Sequence, residues 1–310
     1  MARTSRCSMT SFGRVAVLMG GVAAEREVSL RSGQAITQAL QAAGVDAYAL
    51  DVTRLEQLVE ISQNYDRAFI ALHGRWGEDG QVQAILQSLN MPFTGSQMAA
   101  SALAMDKLRT KWLWRGAGLS TPDFVQVSQF QPLDLENFNL TFPLIVKPCH
   151  EGSSIGMRKV YTLDELQQAV EFAQQYDSEV LIERWITGRE FTVAVLNAQV
   201  LPTIELKTTH DFYDYSAKYQ SNDTQYICPC NLSQNLQNQI DQLVLRGFDV
   251  LGAKGWGRMD LLVDDNHQAW LIELNTVPGM TDHSLVPKAA KVMGLSFEQL
   301  VVEILKTSLN

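Results

Sequence analysis

Two rhythms of apolar residues divide the chain. Over the first hundred positions, short apolar runs alternate with helical spacing. Residues 14–19 (RVAVLM) read as a buried strand ending in the Gly20–Gly21 turn. A helix is expected from about Glu25 to Ala43, with Val28, Ala35, Ile36, Ala39 and Leu40 on its apolar face. Residues 45–50, a helix near 54–62 and residues 67–72 continue the pattern. This predicts a doubly wound parallel sheet, whose ligands bind beyond the carboxyl ends of the strands. Gly20–Gly21 and His73–Gly74 lie at such ends.

The rhythm changes near Met105. A Trp-rich helix (106–115), the strand PLIVKP (143–148), a small-residue loop (151–156), the strand 157–160, a helix near 163–175 and the strand VLIERW (180–185) predict a small βαβ-like lobe. From about Gly188 the pattern becomes antiparallel β, with EFTVAVLN and QVLPTIEL followed by a polar aromatic loop at 209–226. A helix near 233–252, a hairpin and two closing helices complete the chain. The expected organisation is a loose tail at 1–11 and three units at 12–104, 105–187 and 188–310. The fold class is thus α/β in the first unit, with α+β lobes after it.

The hairpin is the sharpest chemical feature. GWGRMDLLVD (255–264) and AWLIELNT (269–276) flank the polar turn 265–268. Alternation places Arg258, Asp260 and Leu262 on one face, and Leu271, Glu273 and Asn275 on one face of the partner strand. A turn about Asn266–His267 sets Asp260 opposite Glu273 and Arg258 opposite Asn275. Opposed carboxylates repel unless a cation lies between them. Oxygen donors at this spacing suit magnesium carrying substrate phosphates. A solvated hairpin face is the plain alternative, and Leu262 and Leu271 on the same face argue for a lined one.

Composition narrows the function. With 310 residues, 46% hydrophobic and 19% charged, the chain is an ordinary globular sequence long enough for two or three cores. A net charge of −9 without a basic stripe argues against nucleic-acid binding, but leaves room for an anionic small substrate in a locally positive pocket. Cys7, Cys149, Cys228 and Cys230 suggest no disulfide framework, and the lone Cys228-Pro-Cys230 reads as structural. The longest apolar run, from Val15 to Ala24, is too short to span a membrane, and residues 1–11 lack a signal-peptide core. A cytoplasmic protein with no membrane partner is expected.

No P-loop or dinucleotide fingerprint occurs. Instead, Lys107, Lys147, Lys218 and Arg258 stand at element ends, with the loop EGSSIG (151–156), which is either a plain turn or a phosphate cover. Lys147 ends an apolar strand, where a cation needs an anion. Glu183 ends VLIE with the opposite sign and could accept from an adenine amino group; a salt-bridged edge residue is the alternative for both. Glu25 follows the first strand and either binds an ammonium group or caps the helix. His73 and the neighbouring Glu78–Asp79 are similarly ambiguous. The aromatic loop around 211–219 reads as a lid.

In this order the pieces resemble the D-alanine–D-alanine ligases of the ATP-grasp superfamily. The resemblance rests on GGVAAEREVSLRSG (20–33), ALHGRWGEDG (71–80), PFTGS (92–96), MDKLRTK (105–111) and VKPCHEGSSIGM (146–157), with EVLIERWITGREFTVAVL (179–196), FYDYSAKY (212–219) and the segment 255–290. It spans nearly everything from residue 12 onward. Trp76, Cys149–His150, Val277 and Asp282 depart from the usual pattern without removing a functional group.

The resemblance implies an ATP-grasp fold with an N-terminal doubly wound preATP-grasp domain, and two-step ligation of two D-alanines through an acyl phosphate for peptidoglycan. It implies that Glu25 anchors the first D-alanine near His73, and that Ser153 links Glu25 to Tyr219. Lys107, Lys147 and Lys218 would hold the ATP phosphates under Ser153–Ser154. Glu183, Trp185, Ile186 and Glu190 would seat adenine and ribose, with Phe212 and Leu262 as walls. Asp260, Glu273 and Asn275 would bind two magnesium ions, or manganese. Arg258 and the Gly279 amide would stabilise a tetrahedral oxyanion, while Ser284 and Leu285, with Lys218, would receive the second D-alanine. A homodimer is implied as well. D-lactate as second substrate, another ATP-grasp carboxylate–amine ligase and a non-catalytic binding module are the alternatives.

Overall fold

The computed structural model describes residues 12–152, 155–207, 224–281 and 284–309. Its first sheet is parallel, in the order β2 (Ala47–Val52), β1 (Val15–Gly20), β3 (Arg67–Ile70). The central β1 is buried along nearly its whole length, as a strand covered on both faces must be. Helix α1 (Arg26–Ala42) matches the expected span, but its buried stripe runs through Ser29, Ser32, Gly33, Ile36, Thr37, Ala39 and Leu40, leaving Val28 and Ala35 partly exposed. The two serines tolerate burial because each hydroxyl is bonded. Ser29 Oγ donates to the Ala71 carbonyl at 2.7 Å and accepts from Gly20 N–H at 2.9 Å, fastening α1 across two strand ends. Helices α2 (Gln57–Asn64), α3 (Gln81–Ser88) and α4 (Met98–Met105) follow.

Helix α5 (Lys107–Gly116) leads into a four-stranded sheet, in the order β4 (Phe124–Val127), β7 (Val180–Arg184), β5 (Leu144–Pro148), β6 (Arg158–Val160). The expected βαβ-like lobe needs correcting. Helix α6 (Leu163–Ala173) does cross from β6 to β7, but those strands flank β5 and every bonded pair is antiparallel. The short β4 completes the sheet and carries too little alternation to announce itself. One sheet face packs Leu144, Val146, Val160 and Ile182 on Leu166, Ala169 and Val170 of α6. The other, with Ile145, Lys147, Leu181 and Glu183, faces the opposite way, where Leu108 of α5 joins Phe124, Cys149 and Leu181.

The third sheet runs β11 (Gln225–Ile227), β10 (Ile204–Lys207), β8 (Gly188–Leu196), β12 (Trp256–Asp264), β13 (Ala269–Asn275), with β9 (Gln199–Val200) beside β8. Helix α7 (Gln234–Val250) buries Ile240 and Val244 with Trp114, Val193, Met259, Leu261 and Val263. The closing helices α8 (Leu285–Val292) and α9 (Phe297–Lys306) pack in the same core as β1–β3. The segment after β13 is thereby carried onto the first sheet. Among the described residues, no helix is long and apolar enough to cross a membrane.

Candidate active site

The hairpin has the expected register, with Arg258 opposite Asn275 and Asp260 opposite Glu273. Past Asp260 the register slips, so that Leu261 meets Leu271 and Leu262 meets Trp270. Ile272 is the extra residue of a β-bulge, and it turns Leu271 to the other face, fully buried with Leu261 and Val263. The expectation that Leu271 shares the face of Glu273 and Asn275 is therefore corrected. Trp270 stands across from Leu262 instead. Thr192 and Glu190 on β8 pair with Asp260 and Leu262 and extend the same face.

Asp260 is the hub of this face. Its Oδ1 accepts from Arg258 Nε at 2.9 Å and from Thr192 Oγ1 at 2.6 Å. Its Oδ2 accepts from the Arg258 guanidinium at 2.8 Å and from Asn275 Nδ2 at 3.1 Å. A bidentate arginine–carboxylate pair is among the stronger charge-assisted contacts and fixes the plane of both groups. Thr192 is buried, while Arg258, Asp260 and Asn275 are partly open, so their pairing can be exchanged for a ligand. Two carboxylates and a carboxamide on one half-buried face are a donor set suited to a hard divalent cation.

Around this face three loops meet. The α1 N-terminus carries Glu25, which occupies the N-cap position but makes no side-chain capping bond, so capping does not explain it. Its carboxylate lies against two glycines. A Cβ on Gly74 would stand 2.6 Å from Glu25 Oε2, and one on Gly152 would stand 2.9 Å from Oε1. Gly74 has φ +65°, which also favours glycine. Glu25 thus joins loop 73–80 to the small-residue loop that opens at Glu151.

The segment after β13 is tied to the same place. The Val277 carbonyl can only accept, so His73 Nδ1 carries the proton that it donates at 2.8 Å. His73 Nε2 then accepts from Ser32 Oγ at 3.1 Å, and that hydroxyl accepts from Met280 N–H at 3.2 Å. Burial drives His73 down to about 4, with the nearby Arg258 adding to the effect, so the ring is neutral. Both ring nitrogens are engaged, which makes His73 a brace. Glu78 accepts from Gly74 N–H at 2.8 Å and from Val277 N–H at 3.3 Å. Burial raises it to about 7 despite those bonds, with Glu25 pushing the same way. Downstream, a Cβ on Gly279 would stand 3.0 Å from Ser284 Oγ, which accepts from Thr281 N–H at 2.9 Å. Ser284 precedes α8, whose Leu285 is core.

On the small lobe, Lys107 Nζ donates to the Glu151 carbonyl at 2.6 Å and so anchors the start of the loop. Lys147 and Glu183 are both buried, and Lys147 Nζ lies 3.3 Å from Glu183 Oε2. A second buried lysine, Lys111 on α5, lies 3.2 Å from the same oxygen. Beyond β7, Ile186 is buried and Lys159 Nζ stands 4.0 Å over the Trp185 ring. The anticipated roles of Ser153, Ser154, Phe212, Lys218 and Tyr219 fall outside the described residues, as does most of the anticipated lid.

Behind the loop, His150 bridges Asp177 at 2.8 Å and Asp106 at 3.1 Å. These bonds, Asp106 first, raise His150 to about 9, so it is an imidazolium at neutral pH. Ligand atoms of Asp106, His150 and Glu179 lie within 4.8 Å of one another, a grouping with metal-site character. Arg109 already bonds both Asp106 and Glu179, so the cation this cluster needs is supplied by the chain.

Ser32, Lys111 and Thr192 carry no individual expectation from the sequence, and Glu78 is expected at most to begin a helix. Only Lys111, one helical turn after Lys107, and Thr192, alternating with Glu190, left a periodic trace.

Two family models match, described as "D-ala D-ala ligase C-terminus" over residues 113–306 and "D-ala D-ala ligase N-terminus" over residues 53–96. The chain is 68% identical to a D-alanine--D-alanine ligase of Hydrogenovibrio crunogenus, over 96% of this chain and 95% of the relative. It is 53% identical to one of Ectopseudomonas mendocina, over 100% and 99%. A crystal structure of the Bacillus anthracis D-alanine--D-alanine ligase superposes with a TM-score of 0.88 at 36% identity, over 96% of this chain and 97% of that one. The Bacillus anthracis ligase complexed with ATP gives 0.86 at 33% identity over the same shares. With its ATP-grasp architecture and these relatives, the chain belongs to the D-alanine–D-alanine ligase family.

Proposed function

We propose that the protein joins two D-alanine molecules at the expense of ATP, through an acyl phosphate. The observation that carries this reading is the position of the Glu25 carboxylate. It touches both the Gly74 loop and the Gly152 loop, and Glu78 lies within electrostatic reach of both Glu25 and Arg258. An ammonium held by Glu25 would place its own carboxylate between the small-residue loop and Arg258. Its carboxylate oxygen attacks the γ-phosphorus of ATP, forming a C–O–P linkage as the bond to ADP breaks. The amine of the second D-alanine then attacks the acyl carbon, loses a proton, and expels phosphate.

In this reading Lys147, Lys107 and Lys218 bind phosphates beneath Ser153 and Ser154. Glu183, Trp185, Ile186 and Glu190, with Phe212 and Leu262, line the nucleotide pocket. Tyr219 and Ser153 complete a hydrogen-bonded closure on Glu25. Ser284, Leu285 and Lys218 receive the second D-alanine. Arg258 and the Gly279 N–H face the developing oxyanion, a type of contact worth about 3–4 kcal/mol per donor. Asp260, Glu273 and Asn275 would hold magnesium, or manganese, which neutralises charge on the transferred phosphoryl group. His73, with both nitrogens engaged, holds the 277–280 segment in place rather than touching substrate. The three units at 12–104, 105–187 and 188–310 act as substrate, cover and metal lobes, in a cytoplasmic homodimer supplying the cell wall.

The test is phosphate release from magnesium-ATP with D-alanine, L-alanine, or D-alanine plus D-lactate. Release with D-alanine alone and a dipeptide product is expected. A depsipeptide as main product at neutral pH would replace this reading with that of a depsipeptide ligase.

A further inference from the structure

Lys111 is fully buried, yet it has no counterion of its own. It shares Glu183 Oε2 with Lys147, the two ammonium groups standing 3.2 and 3.3 Å from that one oxygen. The three side chains therefore carry two positive charges and one negative. Lys111 also donates to Thr121 Oγ1, and that hydroxyl donates to the Leu271 carbonyl at 2.9 Å. Leu271 N–H in turn donates to the Ser120 carbonyl at 2.9 Å. Lys111 is thus fixed from α5, from β7 and, through Thr121, from the bulged strand of the hairpin. The Phe124 ring closes its remaining side, 5.7 Å from Nζ.

A buried lysine shared in this way is costly unless its charge is used. With a single lysine, Glu183 and Lys147 would form a neutral pair, and Lys147 would be held back by its full counterion. With two lysines on one oxygen, both are attracted by Glu183 but repel each other, as the opposed effects of Glu183 and Lys147 on Lys111 show, and the trio keeps one net positive charge.

We propose that Lys111 is a positioning residue that competes with Lys147 for Glu183 and thereby leaves the Lys147 charge available to the nucleotide phosphates. The inference rests on the nucleotide reading of this pocket and adds to it a specific division of labour. Lys147 meets phosphate, while Lys111 never touches the nucleotide and sets how much of the Lys147 charge is spent internally. The groups facing Lys111 are Glu183, Lys147, Arg115, Thr121 and Phe124. Burial, with Lys147 and Arg115 assisting, lowers Lys111 to about 8 against the opposing pull of Glu183. Raising the pH through that range removes the same charge as a substitution does.

Calorimetric titration of the full-length protein with ADP in excess magnesium, and separately with adenosine, tests the proposal without requiring turnover. Lys111→Met leaves Glu183 with Lys147 as a neutral pair and keeps the Thr121 contact to Leu271, so the fold has no stranded charge. ADP is expected to bind about tenfold more weakly to this variant, with adenosine affinity unchanged within twofold and Lys111→Arg restoring most of the loss. Equal losses for ADP and adenosine would make Lys111 a structural pillar and overturn the proposal, as would no loss for either. Should Lys111→Met not fold, the wild type decides. Between pH 7 and 9 the ratio of ADP to adenosine affinity falls if the proposal holds, and a constant ratio overturns it. A wild-type protein that binds neither compound removes the nucleotide reading itself.

Discussion

Two charge clusters among the described residues, one on the hairpin and one in the small lobe, are built on opposite terms. On the hairpin, Arg258 and Asp260 form a bidentate pair on a partly open strand face, within reach of water and of Glu273 across the register. In the small lobe, Lys111, Lys147 and Glu183 are almost wholly closed off, and the two lysines share one oxygen of Glu183. An open pair gives up one partner at little cost, since solvent or a ligand replaces it. A closed cluster cannot, because every lost contact strands a charge. Open pairs therefore suit groups that engage the reacting atoms, and closed ones suit groups that tune a field.

The sharpest way to break this contrast is to neutralise the open face. Glu273→Gln is expected to lower phosphate release by about a thousandfold or more, because the charge opposite Asp260 disappears where a divalent cation is proposed. Activity near that of the wild type would remove the metal reading of the face. Arg258→Met is expected to reduce kcat by about a hundredfold to a thousandfold, with KM for ATP moving by less than about threefold. A rise in KM at unchanged kcat would place Arg258 in ground-state binding instead.

Further tests concern the braces that hold the 277–280 segment beside the hairpin. Glu78 is raised from 4.5 to about 7 in the folded protein, so the native state holds a proton that the unfolded chain has released. Stability from this group is present below about pH 4.5 and declines as pH rises toward 7, by about 3 kcal/mol. Denaturant unfolding between pH 5 and 8 should show that decline in the wild type and a flatter profile in Glu78→Gln. His73 acts in the opposite direction. Its folded value of about 4 against 6.5 means that stability is lost as pH falls from 6.5 toward 4. The smallest effect is expected for Ser32→Ala, which leaves His73 Nε2 and Met280 N–H without their shared hydroxyl. A loss of about 1–2 kcal/mol in unfolding free energy, without a change in KM for ATP, would fit a brace. A kcat loss larger than tenfold would instead mean that the 277–280 segment must be held to within fractions of an ångström.

The legible parts of the site were those within reach of one period. Alternation along β12 and β13 gave the Asp260–Glu273 and Arg258–Asn275 register, because a tight polar turn leaves few choices. The same alternation misplaced Leu271, since a bulge is one residue long and leaves no mark in the apolar pattern. The parallel first sheet was legible for a similar reason, as buried strands and amphipathic helices announce themselves separately. The small lobe was harder, because short strands flanking β5 have the same pattern whether they pair with one another or not.

By itself, the sequence determined which local segments form elements, which residue types stand at their ends, and how charges alternate along the hairpin. These depend on backbone geometry within a few residues. Only the tertiary structure decided that Glu25 is wedged between Gly74 and Gly152, that His73, Ser32 and Glu78 clamp the 277–280 segment, and that Lys111 and Lys147 divide one carboxylate. Those arrangements join positions from 36 to 248 residues apart in the chain. Burial and direction, rather than residue identity, set what each charge can do there.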